Sequence, residues 1–500
     1  MQQTSSHKSK LVAGYSKKTL GLAIGFYIML SGIVIGATTL KLVFSSNLDV
    51  AFSTGAHFMA AASSLFILSA LLFYLLYTRR ALLVNPRELY AVGTVVAISY
   101  VITLYLEFAG IFAVPTALTA FILAPIVKKR RDAFIGNLFC NFLILTTLII
   151  EYLYAVPGSA GYDPFRILDI VVMFNIGVAF GTTAAYIVSN RPGRLRFTLK
   201  SLAIAAFMYI VIVGYSLIHG SYRMADASGE IGLFFTDLTR NALIFGTIAA
   251  FGPFLISLIL QPLLEAAFNL LTNSRLMDLT DHNAPLVKRL RLEAPGTFSH
   301  SLAVASFAEM CAAAIGEDPY IARAAAYYHD IGKLENPEYY KENQGEKNPH
   351  DELLPEVSAE IIRSHTEDGL SLCEKYRIPI EVSHVTVQHH GTMVIPVFYE
   401  KAKKLTDSTV EPVQYSYHGV SPRSKIAAII MLCDVSEAAI RAMDKPDGQK
   451  VDELLTGLIH ERIKAKQFEK CEISLKDLNT IKETIIKAYG GLYHSRLSYK

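Results

Sequence analysis

Long apolar stretches with almost no charge fill the first half of the chain, and shorter stretches with apolar residues three and four apart fill the second. Runs near the ~20 residues that cross a bilayer fall at Leu20 to Leu40, Ala56 to Tyr77, Leu89 to Leu106, Gly110 to Val127, Ala133 to Ala155, Leu168 to Ser189, Leu199 to Ile218 and Asn241 to Pro262. They predict eight crossings. Beyond them, Leu263 to Leu271 continues an apolar helical pattern, and Asp278 to Arg291 reads as a polar connector containing Pro285. Helical spacing then recurs over Ser301 to Ala314, Ile321 to Tyr328, Pro355 to Tyr376, Pro379 to His389, Lys425 to Met443 and Val451 to Lys464. No stretch alternates strictly, so the expected fold class is all-α. The expected order is a tail over 1–19, a polytopic helical bundle over 20–262 whose last seven spans form a module over 56–262, and a connector over 263–291. A helical soluble domain over 292–445 and a helical extension over 446–500 complete it.

Composition agrees with a membrane protein that carries a soluble domain: 52% of the 500 residues are hydrophobic and 18% charged, with mean hydropathy +0.34. Charges crowd in after about residue 290, which makes the soluble part C-terminal. A net charge of +3 is too small to point to a nucleic acid polymer. The five cysteines, Cys140, Cys311, Cys373, Cys433 and Cys471, have no paired spacing and suggest a reducing compartment. The first span is long for a signal peptide's apolar core and no small-residue cleavage site follows it, so it reads as an uncleaved anchor.

Basic residues cluster in alternate loops: Lys8, Lys10, Lys17 and Lys18 before the first span, Arg79, Arg80 and Arg87 after the second, Lys128 to Arg131 after the fourth, and Arg191, Arg194, Arg196 and Lys200 after the sixth. By the positive-inside rule the N-terminus is cytoplasmic, and eight crossings return the C-terminal domain to the cytoplasm as well. The protein is therefore expected to be multi-pass in the inner (plasma) membrane. The gap between the first two spans, about fifteen residues, has no room for an extracellular domain. Glu107 is placed near the outer end of a span, where a carboxylate reaches the interface cheaply.

The chemistry lies in the histidines. Half of the chain's 14 fall between residues 300 and 390. A lone buried histidine is more often core than ligand, but His300, the doublet His329-Asp330, His365, the doublet His389-His390 and Asp434 together supply imidazoles and carboxylates suited to Fe, Mn or Zn. A carboxylate can bridge two cations, and two ions about 3.5 to 4 Å apart clamp a phosphate and ionise a water.

The stretches Leu292-Glu-Ala-Pro-Gly-Thr-Phe-Ser-His-Ser301, Tyr327-Tyr-His-Asp-Ile-Gly-Lys333, Asn348-Pro-His-Asp351, Ile362-Arg-Ser-His365, Gln388-His-His-Gly-Thr392 and Met431-Leu-Cys-Asp-Val-Ser-Glu-Ala-Ala439 resemble the HD-domain superfamily. More narrowly they resemble the membrane-anchored seven-transmembrane HD phosphodiesterases of the PgpH type, which hydrolyse cyclic di-AMP. The resemblance covers about residues 56 to 445. It implies one divalent ion on His300, His329, Asp330 and Asp434, and a second on Asp330, His365, His389 and His390, with Mn or Fe the expected metals.

By the same resemblance Asp330 is catalytic as the bridge, and the product is the linear dinucleotide pApA. Lys333, one turn after Asp330, is placed to neutralise a phosphate oxygen; a solvated helix lysine is its plain alternative. Gly391, Thr392 and Arg423 are candidate substrate contacts, with Arg423 and Lys425 equally readable as a solvated helix start. His350 reads as structural and His384 as packing or surface.

Two departures from the family stand out: the large extracellular domain between the first and second spans is missing, and Ser299 replaces a histidine common in relatives. No Gly-Tyr-Pro triplet follows His389-His390, unlike the enzymes that cut cyclic di-GMP. Alternatives of other classes are a phosphohydrolase of cyclic di-GMP, dGTP or ppGpp, and a membrane receptor that binds a nucleotide without cutting it. A cyclic dinucleotide and the lipid bilayer are the expected partners, and the reading leaves room for a homodimer and an unidentified small-molecule signal for the membrane module.

Overall fold

Seven of the eight apolar runs form helices long and apolar enough to cross a bilayer in the computed structural model, which describes residues 17–46, 54–78, 86–127, 130–154, 166–187, 194–226, 231–405, 409–443 and 447–493. In chain order these are α1 (Lys17–Ser46), α2 (Thr54–Thr78), α3 (Pro86–Leu106), α5 (Arg130–Tyr154), α6 (Arg166–Ile187), α7 (Arg194–Asp226) and α8 (Ile231–Phe268). The run expected as the fourth crossing is instead broken. Gly110 sits at φ 130, Val114 is extended ahead of Pro115, and only α4 (Leu118–Ile126) is α-helical. A residue before proline is pushed out of the α region, and glycine alone tolerates that φ. Every residue of α4 except Pro125 is buried, with α5, α6 and α8 packed around it. Irregular backbone at membrane depth is tolerable only where protein covers it, and here it is covered.

Large apolar side chains such as Phe58, Phe66, Phe73 and Ile218 point outward from the spans and are more than two-thirds exposed, as lipid-facing positions should be. Lys41 is wholly buried, 2.8 Å from Glu107 and also paired with Glu151, while Arg166 pairs with the other oxygen of Glu107. Glu107 therefore does not reach for the interface, as the sequence suggested; it closes a neutral network of two cations and two carboxylates drawn from α1, α5, α6 and the turn after α3. The Lys41–Glu107 link joins residues 66 apart in sequence.

Residues 275–500 form the second compact unit. It begins earlier than the expected boundary at 292, because the supposed connector folds into α9 (Asn273–Leu279) and α10 (Pro285–Glu293), which bury Leu276, Leu279, Leu286, Val287 and Leu290. Then come α11 (Pro295–Ala314), α12 (Pro319–Tyr328), α13 (Pro355–Lys375), α14 (Ile380–Ser383), α15 (Pro396–Leu405), α16 (Lys425–Ala442), α17 (Gly448–Lys464) and α18 (Leu475–Tyr493). The described residues contain no strand, only one isolated bridge between Val394 and Ser416.

The starts of these helices are written in the sequence. Proline occupies the first turn of α10, α11, α12 and α13. Asp318, Ser424 and Asp447 cap α12, α16 and α17 by accepting from backbone N–H groups. α11 packs against α12, α16 and α18. Four alanines of α12, Ala322, Ala324, Ala325 and Ala326, are fully buried, and their small side chains let neighbouring helices approach closely. The expected helix over Pro379 to His389 is cut short: α14 ends at Ser383 and the rest is turn, which frees two consecutive histidines to serve one site.

Candidate metal centre

Five segments deliver the seven candidate ligands to one place. His300 comes from α11, His365 from α13 and Asp434 from α16, while His389 and His390 lie in the turns after α14. His329 and Asp330 fall where α12 gives way to a 3-10 turn over Ile331–Glu335. That change of helix type lets two neighbours point into the same cluster. Gly332 makes the junction possible, because a Cβ there would sit 2.0 Å from the His365 carbonyl oxygen.

Ligand atoms fall into two groups that share Asp330: His300, His329, Asp330 and Asp434, and Asp330, His365, His389 and His390. These are the groups the resemblance implied. The two oxygens of Asp330 divide between them, with Oδ2 3.2 Å from His329 Nε2 and 3.8 Å from His300 Nε2, and Oδ1 3.5 Å from His365 Nε2 and 3.6 Å from His389 Nε2. Asp434 Oδ1 lies 2.9 Å from His300 Nε2, and its Oδ2 lies 3.6 Å from His390 Nδ1.

The imidazoles are held from behind. Nδ1 of His329 faces the Ala326 carbonyl at 2.7 Å, Nδ1 of His365 the Ile362 carbonyl at 2.5 Å, and Nδ1 of His389 the Val385 carbonyl at 3.2 Å. A carbonyl only accepts, so each Nδ1 carries a hydrogen, and Nε2 is the nitrogen that faces the cluster and offers a lone pair there whenever it is unprotonated. His300 Nδ1 is backed by the Glu437 carboxylate, the outer partner typical of metal-bound histidine. His365 Nε2 and His389 Nε2 lie 3.3 Å apart, two lone pairs facing each other, which a cation between them would reconcile.

Both oxygens of Asp330 and His329 Nε2 are buried without a well-formed hydrogen bond, although Lys333 Nζ lies 2.7 Å from Oδ2. Buried polar atoms are nearly always satisfied, so this donor set fits divalent cations. Charge in the cluster points the same way. Burial drives the pKa of His365 down to about 3 and that of His390 well below its usual value, leaving neutral imidazoles. At His329 burial is outweighed by Asp330 and Asp434, which raise it to about 10. At Asp330 and Asp434 burial is outweighed by the surrounding histidines and Lys333, and both stay well below the usual carboxylate range.

Lys333 is largely but not fully enclosed between Asp330 and Glu342, its side chain 13% exposed, with Nζ 2.9 Å from Glu342 Oε1 and 5.0 Å from the Tyr340 ring centre. It is not a solvated lysine. It lines a cavity of about 820 Å³ together with His300, His365, His389, His390 and Asp434, and Met393, Ile395, Pro396 and Tyr417 form an apolar wall. The Tyr417 ring stacks on His390 at 4.2 Å.

Three sequence candidates are placed differently. Gly391, Thr392 and Arg423 are not among the described residues lining this cavity. Gly391 supplies a turn at φ 55, Thr392 is held through its N–H and hydroxyl by Gln467, and Arg423 is exposed, its N–H bonded to Gln388. Lys425 pairs with Asp477 at 2.9 Å. His350 bonds the Tyr339 carbonyl and packs on Phe398, and His384 is exposed, so both stay outside the metal groups. Ser299 is exposed on α11.

Sequence reasoning missed Glu437 and Tyr417. Glu437 could have been found, since it lies three residues after Asp434 on one helix face; Tyr417 reaches the site from an irregular segment with no periodic signal.

The HD domain family model matches residues 297–439. Among curated proteins, the chain is 32% identical over 394 residues to the cyclic-di-AMP phosphodiesterase PgpH of Bacillus subtilis (strain 168), covering 78% of this chain and 51% of that protein. It is 33% identical over 403 residues to PgpH of Listeria monocytogenes serotype 1/2a (strain 10403S), covering 80% and 52%. The chain thus spans about half the length of the curated relatives it matches. A crystal structure of the L. monocytogenes PgpH HD domain in complex with cyclic-di-AMP aligns with 41% identity over 43% of this chain and 100% of that one, at a TM-score of 0.42.

Proposed function

We propose, from the premise that the chain belongs to the PgpH-type family of membrane-anchored HD-domain proteins, that it is a metal-dependent phosphodiesterase hydrolysing cyclic di-AMP to pApA. The observation that carries this reading is the division of Asp330 between two ligand groups at the wall of one cavity. His300, His329, Asp330 and Asp434 would hold one ion and Asp330, His365, His389 and His390 the other; the imidazole and carboxylate set favours Mn or Fe. Such a pair polarises a phosphoryl oxygen and makes water ionise near neutral pH.

The chain's own groups do the rest. Lys333, cationic and held by two carboxylates, stands ready to neutralise a phosphate oxygen as charge builds on it. Tyr417 and the apolar wall exclude bulk water and offer a surface for a base. The cavity falls in the range of about 300 to 1,000 Å³ typical of small-molecule sites. In this reading the N-terminus and residues 275–500 both face the cytoplasm from the plasma membrane, with the broken segment around α4 completing an eighth crossing.

Product analysis of the purified full chain, loaded with Mn²⁺ and offered cyclic di-AMP and cyclic di-GMP in parallel, tests the proposal. Conversion of the adenine compound to pApA is expected, with turnover and bound metal both lost in Asp330→Ala. Retained turnover in that variant would sink the bridging role, and preference for the guanine compound would sink the substrate.

A further inference from the structure

We propose that Arg462, on the helix beyond the matched HD domain, binds the phosphate of a cyclic dinucleotide that is not being cut. The extension would then complete the substrate site. This rests on the cyclic dinucleotide reading above and adds a residue that no motif of the resemblance contains.

Along α17, Val451, Leu455, Leu458 and Arg462 recur at helical spacing and turn inward. An arginine at the end of an apolar stripe costs free energy to bury unless it is paired. Arg462 is only 8% exposed and lines the same cavity as His300 and Asp434. Its Nη1 donates to the Leu458 carbonyl and to Glu461, a carboxylate whose side chain is itself more than half exposed. Its Nε is buried with no hydrogen-bond partner.

The other lining cations are occupied or in solvent. Lys333 is held by Asp330 and Glu342, Arg441 by Glu437, and Lys341 is exposed. Arg462 therefore combines burial with an unused donor. A cyclic dinucleotide carries two phosphates on one ring, so when one sits at the metal ligands the other must be met elsewhere on the cavity wall. A guanidinium with a spare N–H edge suits a phosphate better than an ammonium does.

The test compares the full-length chain with Arg462→Gln and Arg462→Lys, using cyclic di-AMP and bis(p-nitrophenyl) phosphate, a diester with a single phosphate. Arg462→Gln is expected to raise KM for cyclic di-AMP at least tenfold more than KM for the small diester. Arg462→Lys should recover part of the difference. Equilibrium binding of cyclic di-AMP to the same proteins should weaken in parallel.

Equal changes for both substrates, or no change for either, would overturn the proposal, the first by showing that Arg462 acts through the fold or the metal ligands. Failure of the underlying reading looks different, because it appears in the unsubstituted protein as small-diester hydrolysis without binding or turnover of cyclic di-AMP, and it would overturn this proposal too.

Discussion

Glu437 touches the proposed metal site only through His300, yet it fixes which nitrogen of that ring faces Asp434. Outer carboxylates of this kind are worth about 10 to 100-fold in metal affinity. Glu437→Gln should weaken metal binding by about that factor, read by chelator competition, while the circular dichroism of the helices stays unchanged. Acidity should act on the same groups. His329 has its pKa raised to about 10, so without metal its proton adds stability that is complete below its ordinary value and is lost as pH rises through about 10. A cation bound at Nε2 must expel that proton. Apparent metal affinity should therefore rise from pH 6 to pH 8, by about tenfold per unit for each proton displaced, and a titration flat across that range would contradict the raised His329. The seven candidate ligands that the fold brings together are legible in the sequence because imidazole and carboxylate are chemically conspicuous. Arg462 is not, since one arginine at the end of an apolar stripe looks like a helix surface until its burial is known.

Among the elements, regular periodicity predicted well and irregular backbone did not. α12, α13, α16 and α17 start and stop within a few residues of their expected bounds, because proline, capping side chains and apolar spacing all agree there. Failures cluster where tertiary packing overrides length. The run Gly110 to Val127 is apolar enough to cross on its own, but Gly110 and Pro115 break it and neighbouring helices cover the break. The stretch before residue 292 reads as a polar connector because its apolar residues are few, yet Leu286, Val287 and Leu290 are all buried in α10. One of the tightest element contacts is Gly332 against the backbone of α13, where a Cβ would meet both the His365 oxygen at 2.0 Å and the Gly369 nitrogen at 2.5 Å. Backbone cannot yield as a side chain does, so Gly332→Ala should destabilise the soluble unit by about 1 to 3 kcal/mol or more. Its melting temperature should fall by several degrees, and an unchanged melting curve would show that α13 can shift away.

Over the whole molecule, the parity of the crossings decides which side of the membrane the C-terminal unit occupies. Seven full spans and a cytoplasmic N-terminus would put it outside; the broken segment holding α4 restores the balance only if it traverses. Phosphatase fusions after Ala109 and after Lys128 should be active and inactive respectively, and activity at both would mean that the segment turns back. The buried pair of Lys41 and Glu107 has its own bearing on how such a bundle is made. Lys41 emerges from the ribosome with the first span, when the carboxylates 66 and 110 residues later do not yet exist. Close to the end of α1, its ammonium can rest among lipid headgroups in the meantime. Biogenesis then becomes a matter of timing: the first helix enters the bilayer as a provisional lodger, and only the arrival of the third and fifth elements draws its charge inward and makes the insertion permanent.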